Sequence, residues 1–376
     1  MNKRENLIFE RKIEVLAKKR RGGDFLLLFS VLLLSVIGLI FVYSASKYSA
    51  GVTYGNQFYV VGKHLVGLLI GFAFMLFSAN TSFIKYSKIA VVFLVFSIVL
   101  LLLVFTPLGY SNYGATRWIK IMGVTIQPSE IAKISFVLFV AYYFSKKPTR
   151  AKSLLGVLPV IISGGVICLC IILEPNMSIT VCFGLLMLVL LFVAGMKISH
   201  FAIIFVPIIL CVPLLIALEP YRLNRLSAFL NPWASPKGEG YQLLQSLYAL
   251  GSGGWFGVGL FNSRQKFRFL PFSESDFILA VIGEEVGFIG LLFLFALILF
   301  IVIRGIRIAT RAKNFFGFMI AMGITSIFGI QSLVNVLVVT GSIPPTGLPL
   351  PLVSAGNTSL IVFLFSFGIL YNVSKE

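Results

Sequence analysis

The chain has 376 residues, 58% of them hydrophobic and only 12% charged, with a mean hydropathy of +1.00. That composition excludes a set of soluble globular domains and points to an all-α polytopic membrane protein, because apolar runs of about 20 residues, enough to cross roughly 30 Å of hydrocarbon, recur along it. A formal charge of +18 would suit nucleic acid, but Lys and Arg concentrated in cytoplasmic loops explain it, and no nucleic-acid partner is expected.

The tail from Met1 to Asp24 carries eight cations, Lys3, Arg4, Arg11, Lys12, Lys18, Lys19, Arg20 and Arg21, which predicts a cytoplasmic N-terminus. It is too long and charged to be the short leader of a cleavable signal peptide. Spans follow at about Phe25–Tyr43, Phe58–Phe77 and Ile89–Phe105. The loop Thr106–Ile126 is external and contains GATRWIKIMGVTI; Pro128 then opens the fourth span, since proline suits a first helical turn. Glu130 and Lys133 lie three residues apart on one face of that span, either as a structural ion pair or as a pair that neutralise each other until a ligand arrives.

The loop Ser145–Lys152 is basic and internal. Spans at Leu154–Leu173 and Met177–Ala194 meet at the external turn Glu174-Pro175-Asn176, and a seventh runs from Phe201 to Leu218. A long external segment, 219–275, precedes the eighth span, Asp276–Ile303; the ninth is Gly317–Val339 and the tenth Ser354–Tyr371. Ten helices with both ends inside thus form one transmembrane domain, 25–373, between a basic tail, 1–24, and a short tail, 374–376. Cys168, Cys170, Cys182 and Cys211 fall in apolar segments and read as small core residues. No internal repeat is evident.

The long external segment breaks the charge rule, for it holds Arg222, Arg225, Lys237, Arg264, Lys266 and Arg268; an anionic ligand at the outer surface would explain them. Tyr241–Leu250 has the composition of an amphipathic helix along the interface. Gly251–Leu260, GSGGWFGVGL, is too flexible for a regular helix and lets backbone approach a ligand closely. Asp276, Glu284 and Glu285 stand at or inside the start of an apolar helix, where an ionisable group is expensive and a functional candidate by default. The chain has two aspartates, Asp24 and Asp276, and only Asp276 lies near the apolar body. It reads either as a general base or as a helix N-cap. Glu284 and Glu285 differ by about 100° in direction, so one is expected to face a cavity and the other a neighbouring helix.

In order, GATRWI, QPSEIAK, EPN, GYQLLQSLYALGSGGWFGVGL with NSRQKFRFLP and SDFILAVIGEE, and GLPLPLVS resemble the shape, elongation, division and sporulation (SEDS) family, on its FtsW and SpoVE side rather than its RodA side. The resemblance covers the whole membrane portion and implies a peptidoglycan glycosyltransferase in the bacterial plasma membrane. Such a protein polymerises lipid II, a disaccharide-peptide on undecaprenyl diphosphate, at the outer face, for a division septum or a spore cortex. It implies a class B penicillin-binding protein and other divisome or sporulation membrane proteins as partners. Asp276 is then the catalytic aspartate. Glu130, Lys133, Arg117, Lys120, Arg264, Gln265, Lys266, Arg268, Glu284, Glu285 and Ser354 are the candidate substrate-binding residues. A divalent cation, Mg2+ or Mn2+, is a candidate cofactor for the diphosphate, with no metal ligands assigned.

Three places depart from the family pattern: Asn176 replaces the acid of an EPD turn, Glu274-Ser275 replaces His-Thr, and Ser354-Ala355-Gly356-Asn357 replaces Ser-Tyr-Gly-Gly. Two other readings stay open, a flippase for lipid-linked sugars and a non-catalytic scaffold for a penicillin-binding protein.

Overall fold

The computed structural model describes residues 22–112, 115–121, 124–217 and 220–376; of the predicted basic tail, 1–24, residues 1–21 lie outside them. In chain order the helices are α1 (Phe25–Tyr54), α2 (Tyr59–Asn80), α3 (Lys85–Leu103), α4 (Pro128–Lys146), α5 (Leu154–Leu173), α6 (Met177–Val193), α7 (Ile198–Ala217), α8 (Pro220–Leu230), α9 (Tyr241–Gly253), α10 (Ile278–Arg311), α11 (Phe315–Val339) and α12 (Asn357–Ser374). Each predicted span overlaps one of them. Among the described residues α1, α2, α3, α5, α10, α11 and α12 are long and apolar enough to cross a membrane, and α6 is a shorter apolar helix.

Exposure sorts these helices by role. α1, α2, α3, α5 and α10 carry outward ridges of Leu, Val, Ile and Phe, such as Leu69, Phe77, Val92, Leu155 and Leu292, as surfaces facing hydrocarbon should. α4 is the reverse. It holds Glu130, Lys133 and Ser135, and all three are buried, because polar groups within a membrane are tolerated only where they face protein. α11 is the central post, packed against α4, α6, α10 and α12.

One end of the bundle gathers the Lys/Arg-rich turns. Asp24 caps α1 by accepting from the Leu27 amide at 3.0 Å, and the Arg304 guanidinium clamps the same carboxylate. Asn372 of α12 accepts from the Phe83 amide and donates to the Ala79 carbonyl, closing the α2–α3 turn. The opposite end carries the site.

Three features at that end differ from expectation. α1 continues through Ser44–Tyr54, where a loop is predicted. The segment after α3 is a three-stranded antiparallel sheet, β1 (Gly109–Asn112), β2 (Ala115–Ile121) and β3 (Val124–Ile126), with Tyr110 paired to Trp118 and Ile119 to Ile126. α10 is broken: Gly287 sits at φ 66°, ψ −169°, a conformation open essentially only to glycine.

The break stays satisfied because Gly254–Gly259 lies against it. Val258 and Gly259 donate to the carbonyls of Glu284 and Glu285, and Phe288 and Ile289 donate to those of Gly254 and Trp255. Unpaired backbone groups at membrane depth each cost several kcal/mol, so this strand of replacement bonds is what permits a broken helix. A Cβ on Gly257 would lie 2.2 Å from the Glu285 carbonyl oxygen. The glycine run therefore serves close approach to the chain's own backbone. α9 also runs through Gly253, past the predicted helix end, and packs on α10 rather than lying free along an interface.

Candidate active site

Asp276 ends a run of tight turns ahead of α10 and is not its cap. The helix begins at Ile278, with Phe277 at the cap position and no side-chain cap bond. The backbone around Asp276 is held from two elements. Asn335 of α11 donates to the Asp276 carbonyl at 2.9 Å and to that of Leu348 at 2.7 Å. Ser354 donates to the Ser275 carbonyl at 2.6 Å and accepts from the Leu350 amide, while the Ala355 amide donates to the Glu274 carbonyl. The loop between α11 and α12 is thereby tied to residues 274–276, and Gly347 faces the Asp276 carboxyl so closely that a Cβ there would stand 3.1 Å from Oδ2.

Part of the Asp276 surface stays accessible, yet the surrounding protein desolvates the carboxyl and raises its pKa to about 6. The positive charge of Arg117, a Ser275 hydrogen bond and Arg225 pull the other way, and Glu274 adds to the rise. The result is a carboxylate charged at neutral pH and more basic than an ordinary aspartate. Arg225 of α8 donates to the Pro345 carbonyl, so it reaches the same loop as the carboxyl it influences.

Arg117 and Lys120 are separated by the strand's two-residue alternation. Arg117 turns inward and donates to the Glu174 and Pro175 carbonyls; Lys120 is exposed, 5.0 Å over the Tyr110 ring. Glu174 has both carboxyl oxygens buried without a hydrogen-bond partner. Burial pushes its pKa to about 8 against the pull of Arg117. Asn176, where the family pattern has an acid, caps α6 by accepting from the Ile179 amide.

Glu130 and Lys133 form a buried pair at 2.8 Å, each 1% exposed. Lys133 also donates to Gln331 Oε1 at 2.6 Å, and Gln331 donates to the Pro349 carbonyl. Gln331 and Asn335, one turn apart on α11, thus link the α4 pair to the loop beside Asp276. The pair braces the site from below.

The cluster at 264–268 does not converge on Asp276. Lys266 is buried and pairs with Glu285 at 3.0 Å and with Ser44. Glu284 accepts from the Ser263 hydroxyl and from the Arg264 and Gln265 amides; Glu285 accepts from Ser44 and the Ser263 amide. The expectation that the two glutamates part company holds for Glu285, which reaches Ser44 of the neighbouring helix α1, but Glu284 is buried on the 263–265 loop and faces no cavity. The 263–266 loop wraps the helix just before its break, and both carboxylates reach it. Arg268 is exposed and donates to Thr53 at the end of α1. Gln265 contributes its backbone amide.

Sequence reasoning missed Arg225 as a neighbour of Asp276, although its charge against the topological bias was the available signal. It also missed Gln331 and Asn335, whose four-residue spacing on an apolar helix marks a polar stripe turned toward protein.

A profile of the cell cycle protein family that joins FtsW, RodA and SpoVE matches residues 24–376. The chain belongs to this family. It is 39% identical to the stage V sporulation protein E of Bacillus subtilis (strain 168), over 95% of this chain and 98% of that one. It is 36% identical to a probable peptidoglycan glycosyltransferase FtsW of Geobacter sp. (strain M18), over 96% and 98%. Among solved structures, a chain from a peptidoglycan synthase complex that coordinates polymerization and crosslinking superposes with a TM-score of 0.78 at 26% identity, over 94% of this chain and 97% of that one. RodA of Thermus thermophilus superposes with a TM-score of 0.68 at 23% identity, over 94% and 96%, a likeness of fold. The sequence resemblance therefore holds, and the apolar helices of this family member are those of a multi-pass bacterial membrane protein.

Proposed function

We propose that this chain is a peptidoglycan glycosyltransferase that polymerises lipid II at the outer face of the plasma membrane, with Asp276 as its general base. The supporting observation is a partly accessible carboxylate at the end of the bundle away from the basic turns, its backbone held by Asn335, its pKa raised to about 6 by burial against the positive charges of Arg117 and Arg225. Asp276 takes the proton of the acceptor sugar's hydroxyl as that oxygen attacks the donor's anomeric carbon. The bond from that carbon to the diphosphate breaks, and the electron pair leaves with undecaprenyl diphosphate. Arg225 and Arg117 offset the charge that grows on the departing oxygen. The Ser354 and Asn335 bonds to the backbone at 275–276 fix the aspartate while this happens.

A divalent cation fits only a limited role. Among the described residues no group of three His, Cys, Asp or Glu side chains stands at metal-binding spacing. Asp276 alone would hold Mg2+ or Mn2+ there, the remaining ligands being water and diphosphate oxygens, a common arrangement for magnesium. Bound in that way, the ion would supply charge neutralisation.

A class B penicillin-binding protein is the partner this reading implies, supported by the likeness to a chain of a complex that couples polymerization to crosslinking. Other divisome or sporulation membrane proteins are further partners this reading implies, and relatives named FtsW and stage V sporulation protein E are compatible with work at either a septum or a spore cortex. Purified protein in vesicles with lipid II, alone and with such a partner, tests the reading: glycan chains are expected on a gel. Movement of labelled lipid II across the bilayer without polymer would point to the flippase, and partner binding without polymer to the scaffold.

A further inference from the structure

The reaction above leaves Glu174 without a task. This residue stands at the cap position after α5, is 1% exposed, and has both carboxyl oxygens buried without a hydrogen-bond partner. The other buried glutamates are held: Glu130 by Lys133, Glu284 by the Ser263 hydroxyl, and Glu285 by Lys266. A buried carboxylate with no such donor is costly, so the neutral acid is favoured. Burial accordingly pushes the Glu174 pKa up to about 8.

The guanidinium that the reaction uses lies at this same turn. From β2, Arg117 donates to the Glu174 carbonyl at 3.4 Å and to the Pro175 carbonyl. Its charge works against the burial of Glu174, and it is also the strongest of the charges that act on Asp276. A second route joins the turn to Asp276: Ser178, early in α6, accepts from the Gly347 amide at 3.3 Å, and Gly347 faces the Asp276 carboxyl. Cys170, one turn earlier on α5, feels the Glu174 charge, whereas Asn176 and Ser178 bring none. Arg225 and Glu274 act on Asp276. Among the described residues, Arg117 is thus the cation that acts on both carboxyls.

We propose that Glu174 is a positioning residue that decides where the charge of Arg117 is spent. Protonated, it leaves the guanidinium on the two carbonyls, with its charge available to Asp276 and to the departing diphosphate. Once its proton passes to solvent, the carboxylate draws Arg117 into an ion pair and competes with the reaction for it. This inference rests on Asp276 being the base, and it adds an alkaline limit to the rate.

Two measurements on the full chain in vesicles test it. Polymerisation of lipid II followed from pH 5 to 10 should show an acid limb near 6 and an alkaline limb near 8. Glu174→Gln should keep the first and lose the second, outpacing the unaltered protein about tenfold at pH 9, one unit beyond the midpoint. Glu174→Asp, which keeps a titrating carboxyl, should keep an alkaline limb; a purely structural role would not separate these two variants. The second measurement needs no lipid II. In infrared difference spectra, a protonated carboxyl band absent from Glu174→Gln should titrate near 8, and Arg117→Gln should move its midpoint up by about one pH unit. An alkaline limb unchanged in Glu174→Gln, or a band indifferent to Arg117→Gln, overturns the proposal. No polymer at any pH, with the band behaving as expected, would strike the polymerase reading and leave the hold of Glu174 on Arg117 supported.

Discussion

At the scale of single residues, Asp276 and Glu174 show how burial sets two carboxyls apart. Asp276 titrates near 6 and must be deprotonated to accept a proton, so polymerisation should fall about tenfold for each pH unit below that value and level off above it. Arg225 lowers the Asp276 pKa; Arg225→Gln should therefore move the acid limb to higher pH as well as slow the plateau. A rate profile from pH 5 to 8 reads both, and a limb that stays put would detach Arg225 from Asp276. Glu174 has a folded pKa near 8, above its unfolded value. The folded protein then binds the extra proton between these values, and stability declines as pH rises through that window. Glu174→Gln, a neutral mimic, should raise the melting temperature at pH 8 in detergent and leave it unchanged near pH 4.

Lys133 makes the case for paired burial. Its neighbours Glu130 and Gln331 satisfy it in a site with almost no solvent. Lys133→Met strands the Glu130 carboxylate and should destabilise by about 3–5 kcal/mol, with Glu130→Gln added to it restoring part of the loss. Thermal melts of the single and double variants measure this coupling.

Among the elements, α10 governs the outer end. Its break at Gly287 turns the helix start and Asp276 toward the loop between α11 and α12, and Gly254–Gly259 supplies the hydrogen bonds that the break removes. Gly287→Ala combines a conformation costing about 1–3 kcal/mol for other residues with a Cβ 2.3 Å from the Gly257 amide nitrogen. It should lower the melting temperature sharply and abolish polymerisation, whereas Gly165→Ala, with open space around it, should do neither. If both variants melt alike, the break is not an organising feature.

Hydropathy made the long apolar helices legible because a run of apolar residues has few structures open to it in lipid. The break in α10 was not legible, since the sequence around Gly287 stays apolar and one glycine among 34 carries no mark of its φ. The small sheet was less legible for a related reason: ATRWIKI alternates in the way a strand does, but seven residues show no partner until β1 and β3 pair with them. At the site, Asp276 stood out as a costly acid near apolar sequence, and Glu130 with Lys133 by their spacing. What sequence could not give was which cations share a neighbourhood. Lys266 is spent on Glu285, while Arg225, distant in the chain, joins Asp276 through tertiary packing alone.

For the whole molecule, the two ends of the bundle divide the labour. The start of α3, the last turns of α10 and the turn after it carry Lys85, Lys88, Arg304, Arg307, Arg311 and Lys313, and the positive-inside rule assigns that end to the cytoplasm. In spheroplasts, a membrane-impermeant maleimide should label Pro345→Cys and spare Lys313→Cys until the membrane is opened. The reverse pattern would turn the site inward and rule out polymerisation at the outer face.

The most direct measurement is the yield of glycan polymer from purified lipid II for Asp276→Asn beside the unaltered protein, both matched for folding and partner binding. The account predicts long chains from the unaltered protein and none from the variant, because the amide cannot take the acceptor's proton. Equal polymer from both would contradict it and remove Asp276 as the base.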